Sequence, residues 1–178
     1  IPGHRDFEEV NLRFYVRRRT AEGWRRGVVF LREIVPRAAV SFVANTIYHE
    51  RYVTRPMRHA IVPPDQDQPH GVVQYHWRTG ASWASLRVDI AGTPESPEPG
   101  SEAEFITEHY WGYTRRRDGS TAEYGVEHPA WRVWPGRDST FHGDVGSLYG
   151  REFTAILTGE RPCSALVAEG SPIVVRRG

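Results

Sequence analysis

Between residues 9 and 17 the chain alternates polar and apolar side chains without a break. Successive side chains of a β-strand point to opposite faces, so this stretch is predicted to be a strand with one apolar and one polar face. The polar face combines carboxylate, amide, guanidinium and phenol groups, which suits a wall that binds an anion. A face that simply meets water is the plainer alternative. The polar positions are Glu9, Asn11, Arg13, Tyr15 and Arg17.

Further strands are indicated by apolar runs and by turn residues between them. Thr79-Gly80 and Asp118-Gly119 each separate two such runs, which predicts two β-hairpins, and Gly170-Ser171-Pro172 indicates a last hairpin. The predicted strands after the first cover residues 27–35, 71–78, 81–90, 109–116, 121–128, 128–135, 165–167 and 173–175.

Helical spacing of apolar residues occurs mainly in one place, from residue 37 to residue 51, directly after Pro36. This predicts one substantial amphipathic helix packed on a sheet. Ser101 and Glu104 have the spacing of a capping box, and residues 151–157 suit another short helix. The whole pattern predicts a mainly β (α+β) fold, mostly antiparallel, and so many strands favour a closed barrel over an open sheet.

Length and charge narrow the picture further. The 178 residues suit one domain over 1–178, and a formal net charge of +1 gives no overall field that would attract nucleic acid or a membrane. No apolar run reaches the length of a membrane span. A lone cysteine, Cys163, cannot form an intramolecular disulfide, which favours the cytoplasm. The chain begins at Ile1 without a methionine, so processing or a missing N-terminal portion is expected.

The absence of lysine is the strongest chemical constraint. All 23 basic residues counted as Lys and Arg are arginines, so Schiff-base catalysis through a lysine amine is excluded in this chain. No cofactor-binding or nucleophile motif is found, and His49-Glu50 lacks the second histidine of a zinc-binding motif, so neither a cofactor nor a metal is predicted. The arginine runs at 17–19 and 115–117 are more typical of solvated hairpin ends than of a nucleic-acid site.

Five segments together resemble a known family. They cover residues 9–16, 27–31, 48–57, 105–110 and 126–131, in order over nearly the whole chain. The pattern is similar to the YqjF-like proteins, a family of unknown function distantly related to acetoacetate decarboxylase. The resemblance implies a cone-shaped, mainly antiparallel β-barrel with an internal cavity, and a homo-oligomer.

The same resemblance assigns positions in the site. Glu9 corresponds to a glutamate that assists the decarboxylases, and their Schiff-base lysine falls near Arg51 and Tyr52, where this chain has none. Decarboxylase activity is therefore not expected. The family usually carries sequence ahead of the Glu-Val-Asn motif, which this chain lacks.

Three hypotheses follow. The first is a barrel that binds an organic acid or acidic amphiphile, with Arg13 or Arg87 holding the carboxylate. The second is a lysine-independent enzyme in which Glu9 or His128 acts as general base on a carbonyl acid. The third is purely structural, with Arg13 in a buried ion pair with Glu9. The expected ligand-binding residues are Asn11, Arg13, Tyr15, Tyr48, Tyr52, Trp77 and Arg87, and the expected acid/base residues are Glu9 and His128.

Overall fold

The computed structural model describes residues 6–158 and 161–177, and strands dominate it, which confirms the mainly β prediction. The strands are β1 (Val10–Thr20), β2 (Gly23–Val35), β3 (Tyr52–Thr54), β4 (Met57–Val62), β5 (His70–Thr79), β6 (Ser82–Ala91), β7 (Trp111–Arg115), β8 (Thr121–Glu127), β9 (Val133–Pro135), β10 (Asp138–His142), β11 (Leu166–Ala168) and β12 (Val174–Arg177). The helices are α1 (Ala38–Val43), which continues as a π-helical turn (Ala44–Tyr48), α2 (Glu102–Thr107), α3 (Val145–Tyr149), a 3₁₀ turn (Arg151–Phe153) and α4 (Thr154–Leu157).

The larger sheet, sheet A, has the strand order β1-β2-β7-β8-β12, with β3 alongside the end of β2. The β1–β2 and β7–β8 pairs are antiparallel hairpins, whereas β2 runs parallel to both β3 and β7. The register between β1 and β2 shifts at Leu12/Arg13, where Leu31 is left without an opposite residue. Such a bulge bends one strand without changing the alternation of the other, so the polar positions of β1 stay on one face.

The second sheet, sheet B, is antiparallel and has the order β10-β6-β5-β4. The predicted hairpin at Thr79-Gly80 is confirmed, and Gly80 has the positive φ of +59° that its tight turn requires. A third, two-stranded sheet pairs β9 with β11. A buried cluster joins the layers, because Ile34 of sheet A packs with Trp77 and Ala84 of sheet B and with Leu148 of α3.

The predicted helix over residues 37–51 is shorter than expected. It ends at His49, whose φ of +61° turns the chain back towards β3. Asn45 fixes this turn, because its side chain exchanges hydrogen bonds with the backbone of Tyr52 at 3.0 and 2.7 Å. The expected amphipathic packing is wrong in part, since Phe42 and Ile47 are exposed.

The predicted last hairpin is wrong. The strand at Leu166–Ala168 pairs with β9, and the strand at Val174–Arg177 pairs with β8, so the residues between them connect two sheets. The strand expected over 128–135 is reduced to β9, and the sequence pattern missed β10 and α3. Barrel closure is not observed among the described residues, whose strands form three sheets, and the cone-shaped barrel stays a prediction. None of the described helices is both long and apolar enough to cross a membrane.

Candidate functional site

One face of sheet A carries a row of side chains that come from four strands. Tyr15 is opposite Val28, Val28 is opposite Gly112, and Gly112 is opposite Tyr124. Residues directly opposite each other share a face of the sheet, so this face also carries the polar positions of β1. A Cβ atom on Gly112 would overlap the ring of Tyr124, which therefore lies across the glycine. We call this side of sheet A the polar face.

Two segments cover the polar face. The turn after α1 lies over one part, because the Thr114 hydroxyl donates to the His49 carbonyl at 3.3 Å and the Tyr48 ring meets the Tyr124 ring edge-on at 5.7 Å. The end of α2 lies over another part, because the guanidinium Nη2 of Arg13 donates to the Ile106 carbonyl at 3.3 Å. The polar face is therefore partly covered. Thr114 and Tyr124 are buried, whereas Glu9, Asn11 and Tyr15 remain exposed.

Three glutamates meet at one end of this face. Glu33 is opposite Asn11 in the β1–β2 register, and Asn11 Nδ2 donates to Glu9 Oε1 at 3.0 Å. The Tyr52 hydroxyl donates to Glu9 Oε2 at 3.3 Å. Glu50 directly follows the turn that covers the face, and both Glu33 and Glu50 are buried, with 2% and 6% of their surface exposed. We call Glu9, Glu33 and Glu50 the acid cluster.

The acid cluster holds protons more tightly than ordinary glutamates do. Burial, together with the charges of Glu9 and Glu50, raises the pKa of Glu33 to about 9. Burial raises the pKa of Glu50 to about 7, against the opposing effects of the Tyr124 phenol and of Arg51. The pKa of Glu9 is also raised by desolvation, although this residue keeps a large part of its solvent-accessible area. At neutral pH Glu33 is protonated and Glu50 is divided between its two forms.

The phenols that surround the cluster are neutral hydrogen-bonding groups. Burial and the neighbouring carboxylates raise the pKa values of Tyr52 and Tyr124 well above their ordinary value. Glu33 Oε2 and both carboxyl oxygens of Glu50 have no partner within hydrogen-bond distance among the described residues, although the Tyr52 and Tyr124 phenols lie close enough to oppose the rise in the pKa values of Glu33 and Glu50. Burying a polar atom without a hydrogen-bond partner costs free energy of folding, so such atoms are rare. Where they occur, they usually belong to strained or functional sites.

The other end of the polar face is basic and aromatic. Arg13 Nη2 donates to the Tyr15 hydroxyl at 3.0 Å, and the Tyr15 ring packs on the rings of Phe105 and His109 at 4.8 and 4.6 Å. Burial lowers the pKa of His109, and the charges of Arg26 and Arg13 lower it further. His109 is therefore a neutral imidazole held between aromatic rings.

The polar face brings together six of the nine residues that the sequence predicted for the site. Glu9, Asn11, Arg13 and Tyr15 share it as the alternation of β1 requires, and the turn and strand that follow α1 add two more, Tyr48 and Tyr52.

The other three expected residues lie elsewhere. Arg87 is on sheet B, where its guanidinium pairs with Asp89 at 2.5 Å. His128 donates from Nδ1 to the Pro129 carbonyl at 2.9 Å and stacks on Trp131 at 3.9 Å, and no described contact links it to the acid cluster. Trp77 is fully buried in the core between the sheets rather than at the polar face. The expected direct ion pair between Arg13 and Glu9 is not found among the described residues either.

Sequence reasoning missed Glu33, Glu50, Tyr124 and Gly112. The one available signal was Glu33 itself, a carboxylate one residue before Ile34-Val35 in a strand that is otherwise rich in apolar residues. Gly112 and Tyr124 join the site only through the parallel pairing of β2 with β7, and Glu50 joins it through the turn that ends α1, neither of which a local pattern reveals.

The opposite side of β1 borders an apolar groove of about 680 Å³ between the sheets. Asn11 reaches both places, since it lines this groove and donates to Glu9. The apolar part of the groove is formed mainly by Val10, Leu12, Trp77, Leu86, Phe141, Ile156 and Leu157.

Comparison with known families agrees with the resemblance seen in the sequence. A model of the DUF2071 family, described as "uncharacterized conserved protein (COG2071)", matches residues 1–172. The chain belongs to the DUF2071 family. This membership confirms the predicted likeness to YqjF-like proteins of unknown function. A search among curated proteins gave no match. Within the described part of this DUF2071 chain, no three histidine, cysteine or acidic side chains converge in a way that suits a metal ion.

Proposed function

We propose that this protein binds a small organic acid or acidic amphiphile at the polar face of sheet A, without Schiff-base chemistry. Arg13 is the group that would pair with the ligand carboxylate, since a guanidinium matches a carboxylate with two parallel hydrogen bonds. The acid cluster and its phenols would hydrogen-bond the rest of the ligand. For an acidic amphiphile, the groove next to Asn11 offers apolar surface for a tail.

The observation that carries this proposal is the state of the Arg13 guanidinium. Its described partners are both neutral oxygens, those of Tyr15 and Ile106, and it forms no ion pair with a described carboxylate. Arg87, by contrast, already pairs with Asp89 through two hydrogen bonds. A half-buried arginine on a partly covered polar surface, with no carboxylate of its own, is a suitable partner for an incoming anion.

Isothermal titration calorimetry with carboxylic acids and their matched amides tests this proposal. Arg13→Gln is expected to weaken acid binding by about 1.5–3 kcal/mol, the usual worth of hydrogen bonds to a charged group. Arg87→Gln is the matched control. It is expected to leave binding unchanged, because Arg87 lies on sheet B and its charge is already paired with Asp89. Equal binding of acids and amides, or equal effects of the two substitutions, would show that Arg13 does not hold the carboxylate.

A second candidate is a lysine-independent enzyme that acts on a carbonyl acid. The observation that favours it is Glu50, whose pKa of about 7 allows it to take and return a proton at neutral pH. In this reaction Arg13 would hold the carboxylate, Glu50 would remove a proton from the carbon beside the carbonyl, and neutral Glu33 would donate to the enolate oxygen. His128, one of the two bases that the sequence suggested, has no described contact with this network.

Exchange of the α-proton of keto acids for deuterium, followed by NMR, tests the enzyme proposal. Glu50→Gln should abolish the exchange, whereas His128→Gln should leave it unchanged. Exchange at equal rates with and without the protein would rule out this activity.

We further propose a cytoplasmic homo-oligomer, and light scattering on the purified protein tests the oligomeric state.

A further inference from the structure

The acid cluster offers more acceptors than the protein itself uses. Glu33 and Glu50 are more than nine-tenths buried, yet three of their four carboxyl oxygens have no partner within the described chain. Water normally satisfies such oxygens at a surface. These oxygens lie under the turn that ends α1 and beside the rings of Tyr48 and Tyr124. A ligand that brings hydrogen-bond donors would satisfy them.

The cluster also lacks a counter-charge. None of its three glutamates forms an ion pair with an arginine or histidine in the described residues, although Arg13 on β1 and Arg51 after the turn act on Glu9 and Glu50 from a distance. The remaining groups that face the cluster are the phenols of Tyr52 on β3 and Tyr124 on β8, which are neutral. Bringing a positive charge into this place would therefore stabilise the ionised glutamates.

The aromatic rings beside the cluster are a second observation that favours a cation. Tyr48 and Tyr124 meet edge-on at 5.7 Å, and the Tyr52 hydroxyl reaches Glu9. Glycine at position 112 leaves the space that the Tyr124 ring occupies across the sheet. Aromatic faces attract organic cations, and cages of such rings are a common way to bind ammonium groups.

We propose that the acid cluster binds a protonated amine, so that the ligand is an organic acid which also carries an ammonium group. This inference rests on the proposed function, because Arg13 would hold the carboxylate end of the same molecule. A metal ion fits less well, since the acidic side chains in the described residues do not converge on one metal-binding point. An ammonium group has three separate donors and can serve carboxyl oxygens that are further apart.

The spacing along β1 indicates how long the ligand is. Glu33 is opposite Asn11, and Asn11 and Arg13 lie two residues apart on the same face, which is about 7 Å of extended chain. A molecule that touches both ends of the polar face therefore has several carbon atoms between its carboxylate and its ammonium group. This favours ω-amino acids over α-amino acids as probes.

Proton release is the signature of this arrangement. Free Glu33 is protonated at neutral pH because its pKa is about 9. An ammonium group bound beside it would lower that pKa, so the complex should release up to about one proton at pH 7.5. A carboxylate bound at Arg13 alone would leave Glu33 protonated.

Calorimetry at pH 7.5, in two buffers of different ionisation enthalpy, tests the inference with three probes. The probes are 5-aminopentanoate, pentanoate and pentylamine, which carry both groups, only the acid and only the amine. We expect 5-aminopentanoate to bind at least ~10-fold more tightly than pentanoate, with proton release. Glu33→Gln should remove that advantage and the proton release.

The outcomes separate this inference from the proposed function. If pentanoate binds as tightly as 5-aminopentanoate and depends on Arg13, the inference is overturned and the proposed function stands. If pentylamine binding depends on Glu33 while Arg13→Gln changes nothing, the ammonium site stands and the carboxylate site fails. Binding of none of the probes overturns both. Glu50→Gln repeats the comparison if Glu33→Gln does not fold.

Discussion

Glu33 is the residue whose environment differs most from that of an ordinary glutamate. It lies in β2 next to the core residue Ile34, and its own side chain is directed to the polar face opposite Asn11. Alternation along a strand separates these two environments by a single residue. The strand therefore contributes to the hydrophobic core and to the acid cluster at the same time.

This environment predicts how stability depends on pH. The pKa of Glu33 is about 9 in the folded protein, against an ordinary value of 4.5 in an unfolded chain. Between these values the folded state holds a proton that the unfolded state has lost. The free energy of unfolding should therefore fall as pH rises, by up to about 1.4 kcal/mol per pH unit for one group. Glu33→Gln should flatten the curve between pH 7 and 9, most clearly above pH 8, where Glu50 is mostly ionised.

Urea unfolding at pH 7, 8 and 9 measures this slope. The control is Glu98→Gln, which changes an exposed glutamate in the loop before α2 and should keep the slope of the parent protein. If Glu33→Gln and the parent protein lose stability equally over this range, Glu33 is ionised at neutral pH and the described acid cluster is not as desolvated as its burial indicates.

Gly112 permits a test of how the Tyr124 ring is held. A Cβ atom at this position would overlap the ring, whereas one at Gly125, in the paired strand β8, would meet nothing closer than the Tyr110 carbonyl at 4.0 Å. Gly112→Ala is expected to cost about 1–3 kcal/mol of stability through overpacking. Gly125→Ala should be neutral or slightly stabilising. Thermal unfolding compares the two, and equal effects would mean that the ring moves aside freely.

Adding Tyr124→Leu to Gly112→Ala makes the same test a double-mutant cycle. Because the added methyl group clashes with the tyrosine ring, its cost should shrink when the ring is absent. Additive effects would show that Gly112 is required by something other than Tyr124.

Among the elements, α2 contributes to the site through the Ile106 carbonyl, which accepts a hydrogen bond from Arg13. The Ser101 hydroxyl accepts from the Glu104 amide at 3.1 Å, and Glu104 accepts in turn from the Gly100 amide at 2.7 Å. This capping fixes the start of a helix that is only six residues long. Its end carries the Ile106 carbonyl that accepts from Arg13.

Ser101→Ala is expected to destabilise the protein by about 1 kcal/mol, because one amide at the start of α2 loses its partner. Ser101→Asp keeps an acceptor at the same place and should have little effect. Urea unfolding of both variants gives the comparison. A similar loss in the alanine and aspartate variants would indicate that the serine hydroxyl contributes something other than a cap.

Elements whose pattern is local could be predicted from the sequence. The alternation of β1, the Asp118-Gly119 hairpin and the Ser101–Glu104 cap each depend on residues only a few positions apart, and all three are observed. The strand at Leu166–Ala168 was found as a strand but given the wrong partner, since its pairing with β9 spans more than thirty residues of sequence. The early end of the helix at His49 depends on Asn45 and β3, which its apolar periodicity does not reveal.

The same distinction divides the candidate site. Residues of β1 could be assigned to one face because a strand fixes which of its side chains lie together. Glu33 required the register between β1 and β2, and Tyr124 required the order of four strands in sheet A. The acid cluster is thus a product of sheet topology, and the hypothesis drawn from β1 alone predicted an anion-binding surface but not the glutamates Glu33 and Glu50 at its other end.

At the scale of the whole molecule, one buried cluster connects the two larger sheets. Trp77 of β5 has no exposed surface and packs with Ile34 of β2, next to Glu33 of the acid cluster. The fit of this tryptophan between the sheets therefore supports the strand from which Glu33 projects. Its Nε1 has no described hydrogen-bond partner, so its contribution to stability comes from packing.

Trp77→Ala tests whether the sheets unfold as one unit, as the prediction of a single domain requires. Removing a large buried aromatic side chain is expected to cost about 3–5 kcal/mol, because the cavity closes only in part. Circular dichroism in urea should show one transition at a lower midpoint with an unchanged slope, since both sheets lose the same shared core. Trp83→Ala, at a half-buried position of β6, is the control and should cost less. Two separate transitions in the Trp77 variant would show that sheet A and sheet B fold independently, and the acid cluster would then need only sheet A for its construction.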